Sequence, residues 1–172
     1  MPSNDPADSS VSRTVAITDL DCLDHFASRL AACLPAAAVV TLEGDLGAGK
    51  TTLVKAVAAA AGIDPAEVTS PTFSLIQIHD TPTGELRLVH ADMYRLSDPD
   101  ELQELGWEEL LEPAEGRRCW IFLEWPQRIA AALPENRLAI RLAITGETAR
   151  QLMLTGFGAQ YATIPAAATG SA

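Results

Sequence analysis

The chain has 172 residues, 48% of them hydrophobic, and carries 12 Lys and Arg against 23 Asp and Glu, a formal net charge of −11. That length fits about one domain with a sizeable core. Only two lysines occur, and such an acidic surface argues against a protein that grips a nucleic-acid backbone unaided, because that binding rests on clustered Lys and Arg.

Taken in chain order, residues 1–12 are rich in Ser, Pro and Asp and read as a flexible tail, unlike an export signal. Arg13 to Ile17 predicts a short strand. Asp19 to Leu34 predicts a helix, with Leu20, Leu23, Phe26, Ala27, Leu30 and Ala31 on one face and Pro35 stopping it. Ala38-Val39-Val40-Thr41-Leu42 reads as a buried parallel strand, and Leu53, Val54, Val57, Ala58 and Ala61 as the apolar stripe of a helix ending at Gly62. Phe73 to His79 and Leu86 to Ala91, around a Pro/Gly turn, predict an antiparallel hairpin. Asp98 to Leu111 is an acidic helical stretch with a break expected at Gly106. Its glutamates, Glu101, Glu104, Glu108, Glu109 and Glu112, read as an exposed face. Cys119 to Leu123 is a further apolar strand ending in Glu124, Arg137 to Thr145 another, and Arg150 to Thr155 is expected to close the sheet. Residues 13–158 thus predict one α/β domain, a mostly parallel sheet with antiparallel additions, and 159–172 a second flexible tail.

Between the second strand and the second helix, Gly44-Asp45-Leu46-Gly47-Ala48-Gly49-Lys50-Thr51-Thr52 fits G-x-x-x-x-G-K-[ST], the phosphate-binding loop. The glycines let successive backbone N–H groups turn inward around a polyphosphate. Lys50 has the reach for the β- and γ-phosphates, Thr51 has a hydroxyl for Mg²⁺, and the helix opening at Lys50 points its positive end at the same anion. Such a loop needs acids to hold the metal and place a water, and these emerge at the carboxyl ends of strands. Glu124, after Trp120-Ile121-Phe122-Leu123, and Asp92, after Leu88-Val89-His90-Ala91, both end apolar runs. A solvated acid at a strand end is the plain alternative for each. His90 shares a side with Asp92 by alternation and reads as structural; Trp107 and Trp120 read as packing residues. Three widely separated cysteines without metal-like spacing, and no apolar stretch of membrane-span length, suit a reducing cytoplasm.

Four motifs in order resemble the TsaE (YjeE) family, small bacterial P-loop ATPases of tRNA threonylcarbamoyladenosine biosynthesis. Besides the loop, Ser70-Pro71-Thr72-Phe73 is similar to the family's S-P-T-[FY] switch-like segment. His90-Ala91-Asp92-Met93-Tyr94-Arg95-Leu96, continued by Asp98-Pro99-Asp100-Glu101-Leu102, is similar to its H-x-D-x-Y-R-L and D-P-x-E-L runs, and Leu123-Glu124-Trp125-Pro126 to its E-W-P. The resemblance implies a P-loop NTPase-like three-layer sandwich binding ATP and Mg²⁺. It implies Glu124 beside Thr51 at the metal, Asp92 as an acid needed for hydrolysis, and Trp125 as a site-proximal residue important for activity. It also implies a nucleotide-responsive segment around Thr72, and partnership with the TsaB–TsaD pair, through which tRNA would be met indirectly. The chain departs from the family at Cys22-Leu23, where a Thr is frequent, and at Ala91, where an aromatic is frequent; Arg150 loosely matches an Arg-bearing stretch and is a candidate phosphate contact. Two other readings of the loop stand beside this one. A small-molecule kinase would need an Arg-bearing lid, for which Arg117-Arg118 is the only adjacent basic pair; a nucleotide-gated binding module would need no turnover.

Overall fold

In the computed structural model, which describes residues 10–96, 99–112 and 116–170, the alternating runs form seven strands of one sheet. They are β1 (Val11–Ile17), β2 (Ala37–Glu43), β3 (Ile76–Asp80), β4 (Leu86–Asp92), β5 (Arg118–Glu124), β6 (Arg137–Ile144) and β7 (Arg150–Phe157), in the order β1-β7-β6-β2-β5-β4-β3. The centre, β6-β2-β5-β4, is parallel. Antiparallel strands are added on both sides, β3 to β4 and the pair β7 and β1 to β6.

Helices cover the two faces because strand alternation gives each face its own apolar set. On one side α1 (Leu20–Cys33), α2 (Lys50–Ala60) and α5 (Ile164–Thr169) bring Leu23, Phe26, Leu53, Val57 and Ile164 onto Val40, Leu42, Leu88, Trp120 and Phe122. On the other, α3 (Pro99–Glu104), α4 (Trp107–Leu111) and a 3₁₀ segment (Pro126–Ala132) bring Leu102, Trp107 and Ile129 onto Val89, Ala91, Ile121 and Leu123. Each fully buried Leu or Phe contributes roughly 1.5–3 kcal/mol. The result is the expected three-layer α/β sandwich. Local signals set the first helix: the Asp19 carboxylate caps it by accepting from the Cys22 N–H at 2.8 Å, and Leu34, extended at φ −66° and ψ 137° before Pro35, ends it.

Several expectations need correction. Phe73 to Leu75 is not strand: Leu75 turns at φ 63°, its N–H bonded to the Pro71 carbonyl at 2.7 Å, so the hairpin strand begins only at Ile76. β7 does not close the sheet but lies inside it, and β1 takes the edge. That first strand begins at Val11, within the stretch read as a tail; residues 1–9 lie outside the described residues. Residues 159–170 are packed rather than loose: Tyr161, Ile164 and Ala168 are buried against the α1 layer, and the Tyr161 hydroxyl accepts from the Val39 N–H at 2.9 Å. Residues 171–172 fall outside the description, as does Asp98 at the head of the acidic stretch, which breaks at Gly106 as expected.

A candidate phosphate and metal site at three strand ends

Parallel register brings three carboxyl ends level. Leu42 pairs with Glu124, and Glu124 with Asp92, so the loop leaving β2 turns directly beside the last residues of β5 and β4. Alternation then sends His90, Asp92, Phe122 and Glu124 to the α2 side of the sheet, under the loop.

The loop is tightly built. A Cβ on Gly44 would come within 2.7 Å of the Leu142 carbonyl oxygen, and Gly49 enters α2 at φ +102°. The turn closes with Ala48 N–H on the Asp45 carbonyl at 3.0 Å. Lys50 is 5% exposed, and its Nζ donates to the carbonyls of Gly44 (2.7 Å) and Asp45 (3.1 Å). Trp125 lies over that ammonium, 4.3 Å from Nζ to the ring centroid. Burial pushes the Lys50 pKa down, against Glu124, Asp92 and Asp45, whose charges pull it up.

The acids are held as firmly. Glu124 Oε1 accepts from Thr51 Oγ1 at 2.8 Å and lies 2.8 Å from His90 Nε2. Asp92 accepts from Thr72 Oγ1 at 3.0 Å and from the Tyr94 N–H at 2.9 Å. Both acids and His90 are buried. Ser70 Oγ is 2.8 Å from Thr72 Oγ1, which ties the Ser70 to Phe73 segment to Asp92, while Phe73 itself stands 84% exposed under the Arg95 guanidinium. Tyr94 packs on Trp125 with ring centroids 4.9 Å apart. A depression of about 270 Å³ gathers Leu46, Gly47, Gly49, Lys50, Thr51, Thr52, Ser70, Thr72, Asp92, Tyr94, Glu124 and Trp125.

A second hollow of about 570 Å³ shares Gly49 and Thr52 with the first and is otherwise mostly apolar, walled by Ile17, Leu20, Leu23, Leu142 and Leu152. Arg150 stands at its rim. Its guanidinium donates to the carbonyls of Ala48 (3.0 Å) and Ala149 (2.8 Å), bracing the loop against β7. The sequence candidates therefore converge on two joined hollows, with Arg150 on the far side of the loop from the acids. Sequence reasoning missed the His90–Glu124 contact and the Tyr94–Trp125 pair. The H-x-D-x-Y spacing held the signal for both, but their partners lie on another strand end.

The donors present are oxygens: a hydroxyl and two carboxylates beside an anion cradle. Among the described residues no group of three or more His, Cys, Asp and Glu forms a metal cage. That set fits Mg²⁺, which uses one or two carboxylates and takes its other ligands from phosphate and water.

Fold and site define a P-loop NTPase-like α/β protein. The sequence profile of the family described as "Threonylcarbamoyl adenosine biosynthesis protein TsaE" matches residues 17–152, and the chain belongs to that family. It is 40% identical over 123 residues to the tRNA threonylcarbamoyladenosine biosynthesis protein TsaE of Bacillus subtilis, covering 72% of each chain. To the protein of the same name from Streptomyces coelicolor it is 39% identical over 140 residues, 78% of this chain and 90% of that one. The crystal structure of Bacillus subtilis YdiB superposes with a TM-score of 0.67 at 29% identity, covering 90% of this chain and 92% of that one.

Proposed function

We propose that this chain is a Mg²⁺-dependent, ATP-binding and ATP-hydrolysing accessory protein of the N6-threonylcarbamoyl modification of tRNA adenosine 37, working in the cytoplasm with the TsaB–TsaD complex to sustain its turnover. The observation that carries the reading is the convergence of Thr51, Glu124 and Asp92 on the open side of the phosphate loop. Family membership and the relatives' names supply the pathway.

In this reading the loop N–H groups of Asp45 to Thr52 and the α2 N-terminus hold the triphosphate. Lys50 exchanges its carbonyl partners for phosphate oxygens. Thr51 and Glu124 would hold Mg²⁺, which would supply positive charge against the phosphates. Asp92, kept in place by Thr72 and the Tyr94 N–H, orients the attacking water. The apolar hollow on the Arg150 side receives the nucleoside. At −11 the chain meets tRNA through its partners rather than by its own surface.

The test is ATP hydrolysis by the chain alone, then with a purified TsaB–TsaD pair and Mg²⁺. Slow hydrolysis stimulated by the pair is expected; absence of binding and hydrolysis under both conditions overturns the reading. Asp92→Asn should slow hydrolysis by roughly 10²-fold or more while nucleotide and partner binding persist. If Asp92→Asn still supports full modification, the chain acts as an ATP-dependent clamp without need of turnover.

A further inference from the structure

Glu124 Oε1 receives two contacts of 2.8 Å, one from the Thr51 hydroxyl on α2 and one from His90 Nε2 on β4. The two supports differ in kind. Thr51 stands on the first turn of the helix that must meet the nucleotide. His90 is 0% exposed on a strand bonded on both sides, to β3 and to β5. A carboxylate can only accept, so Nε2 carries the hydrogen of that contact. The other ring nitrogen, Nδ1, is buried and has no partner among the described residues. An apolar side chain would fill this place without an orphaned nitrogen, so packing alone does not account for an imidazole here. Among the described residues the one polar contact of its side chain is with Glu124.

We propose that His90 is a positioning residue for Glu124: its Nε2–H pins Oε1 to the rigid strand, so that the carboxylate is presented toward Thr51 and the metal rather than free to swing. This rests on the reading of Glu124 as a metal-holding acid. An unpinned carboxylate has another cation to turn to, the buried Lys50 ammonium, whose charge already feels Glu124. Groups that orient a metal ligand through one hydrogen bond typically cost about 10–100-fold in metal affinity when removed.

The experiment uses the full chain and follows binding of a fluorescent ATP analogue as Mg²⁺ is titrated, with Mn²⁺ paramagnetic resonance as a direct view of the metal. His90→Met removes the donor and keeps the volume. His90→Asn places an amide near Nδ1, too short to reach Glu124; His90→Gln places one near Nε2. The Mg²⁺ midpoint should rise about tenfold or more in His90→Met and His90→Asn, and His90→Gln should restore most of it. Thermal unfolding without nucleotide identifies any variant that fails to fold, and the Asn and Gln pair then carries the comparison. In a Glu124→Gln background the His90 change should add nothing. If Glu124→Gln shifts the midpoint but a folded His90→Met or His90→Asn does not, or if the His90 shift is equal in both backgrounds, the positioning role is wrong. If Glu124→Gln itself leaves the midpoint unmoved, the metal-holding reading fails, and the positioning role falls with it.

Discussion

Trp125 occupies a left-handed backbone conformation, φ 59° and ψ 51°, that side chains with a Cβ rarely adopt. The Trp125 N–H to Leu42 carbonyl bond of 3.3 Å and Pro126 immediately after it hold the residue in that turn, which swings the indole back over Lys50 and against Tyr94. Backbone energy and ring contacts therefore pull in opposite directions at one position. Trp125→Gly and Trp125→Ala both lose the ring, but only glycine relieves the backbone. The glycine variant should be the more stable of the two by about 1 kcal/mol in denaturant titrations, with similar loss of nucleotide binding. The sequence announced Trp125 through its E-W-P setting but not its conformation, because nothing in the residues around it prescribes a positive φ.

Among the elements, strand β2, the loop and α2 were readable from the sequence because each carries its own local signal: a β-branched run, a glycine pattern, a helical stripe. The acids at the ends of β4 and β5 were readable for the same reason. Two elements were not. Leu75 lies inside the β-prone run from Phe73 to His79, which looks extended, yet its carbonyl takes the Asp92 N–H at 2.8 Å and its own N–H goes to Pro71, a turn set by a neighbour some way along the chain. The six-residue helix α5, Ile-Pro-Ala-Ala-Ala-Thr, is too short to hold itself and has no periodic face to advertise it. It exists because Tyr161, Ile164 and Ala168 pack on α1, and because Arg29 Nε donates to the Ala168 carbonyl at 2.9 Å. Tyr161→Ala should therefore cost about 3–5 kcal/mol, as for other large aromatic truncations. Tyr161→Phe should cost only about 1–3 kcal/mol, the effect of leaving the Val39 N–H without its acceptor. Chemical unfolding of the two variants measures both, and equal losses would mean that the hydroxyl, not the ring, fixes the C-terminal segment.

For the whole molecule, an excess of acids makes the response to low pH informative. Asp80 has the best-defined contribution: hydrogen bonds from Arg87, then from Arg117, hold its carboxyl down to about 2 from an ordinary 3.8. A carboxylate with a lowered folded-state pKa stabilises above its unfolded value and loses that contribution as pH falls from about 4 through about 2. The side chain is 41% exposed, so the effect is small and screened. Asp80→Asn should flatten the stability profile in that window at low salt, and the difference should fade at about 1 M salt, where the screening length is about 3 Å. No helix among the described residues is long and apolar enough to cross a membrane. The sheet order has a different kind of consequence. The edge strand β1 pairs with β7, Val11 opposite Gly156, and the apolar hollow takes walls from both Ile17 and Leu152. The hollow beside the acids is lined by residues from Leu46 to Trp125. During synthesis β1 must therefore wait for β7 before it can pair, so the apolar hollow closes only once β7 has been made, whereas the residues lining the hollow beside the acids have all been made by Trp125. The two hollows are thus completed at different points of synthesis, the one beside the acids first.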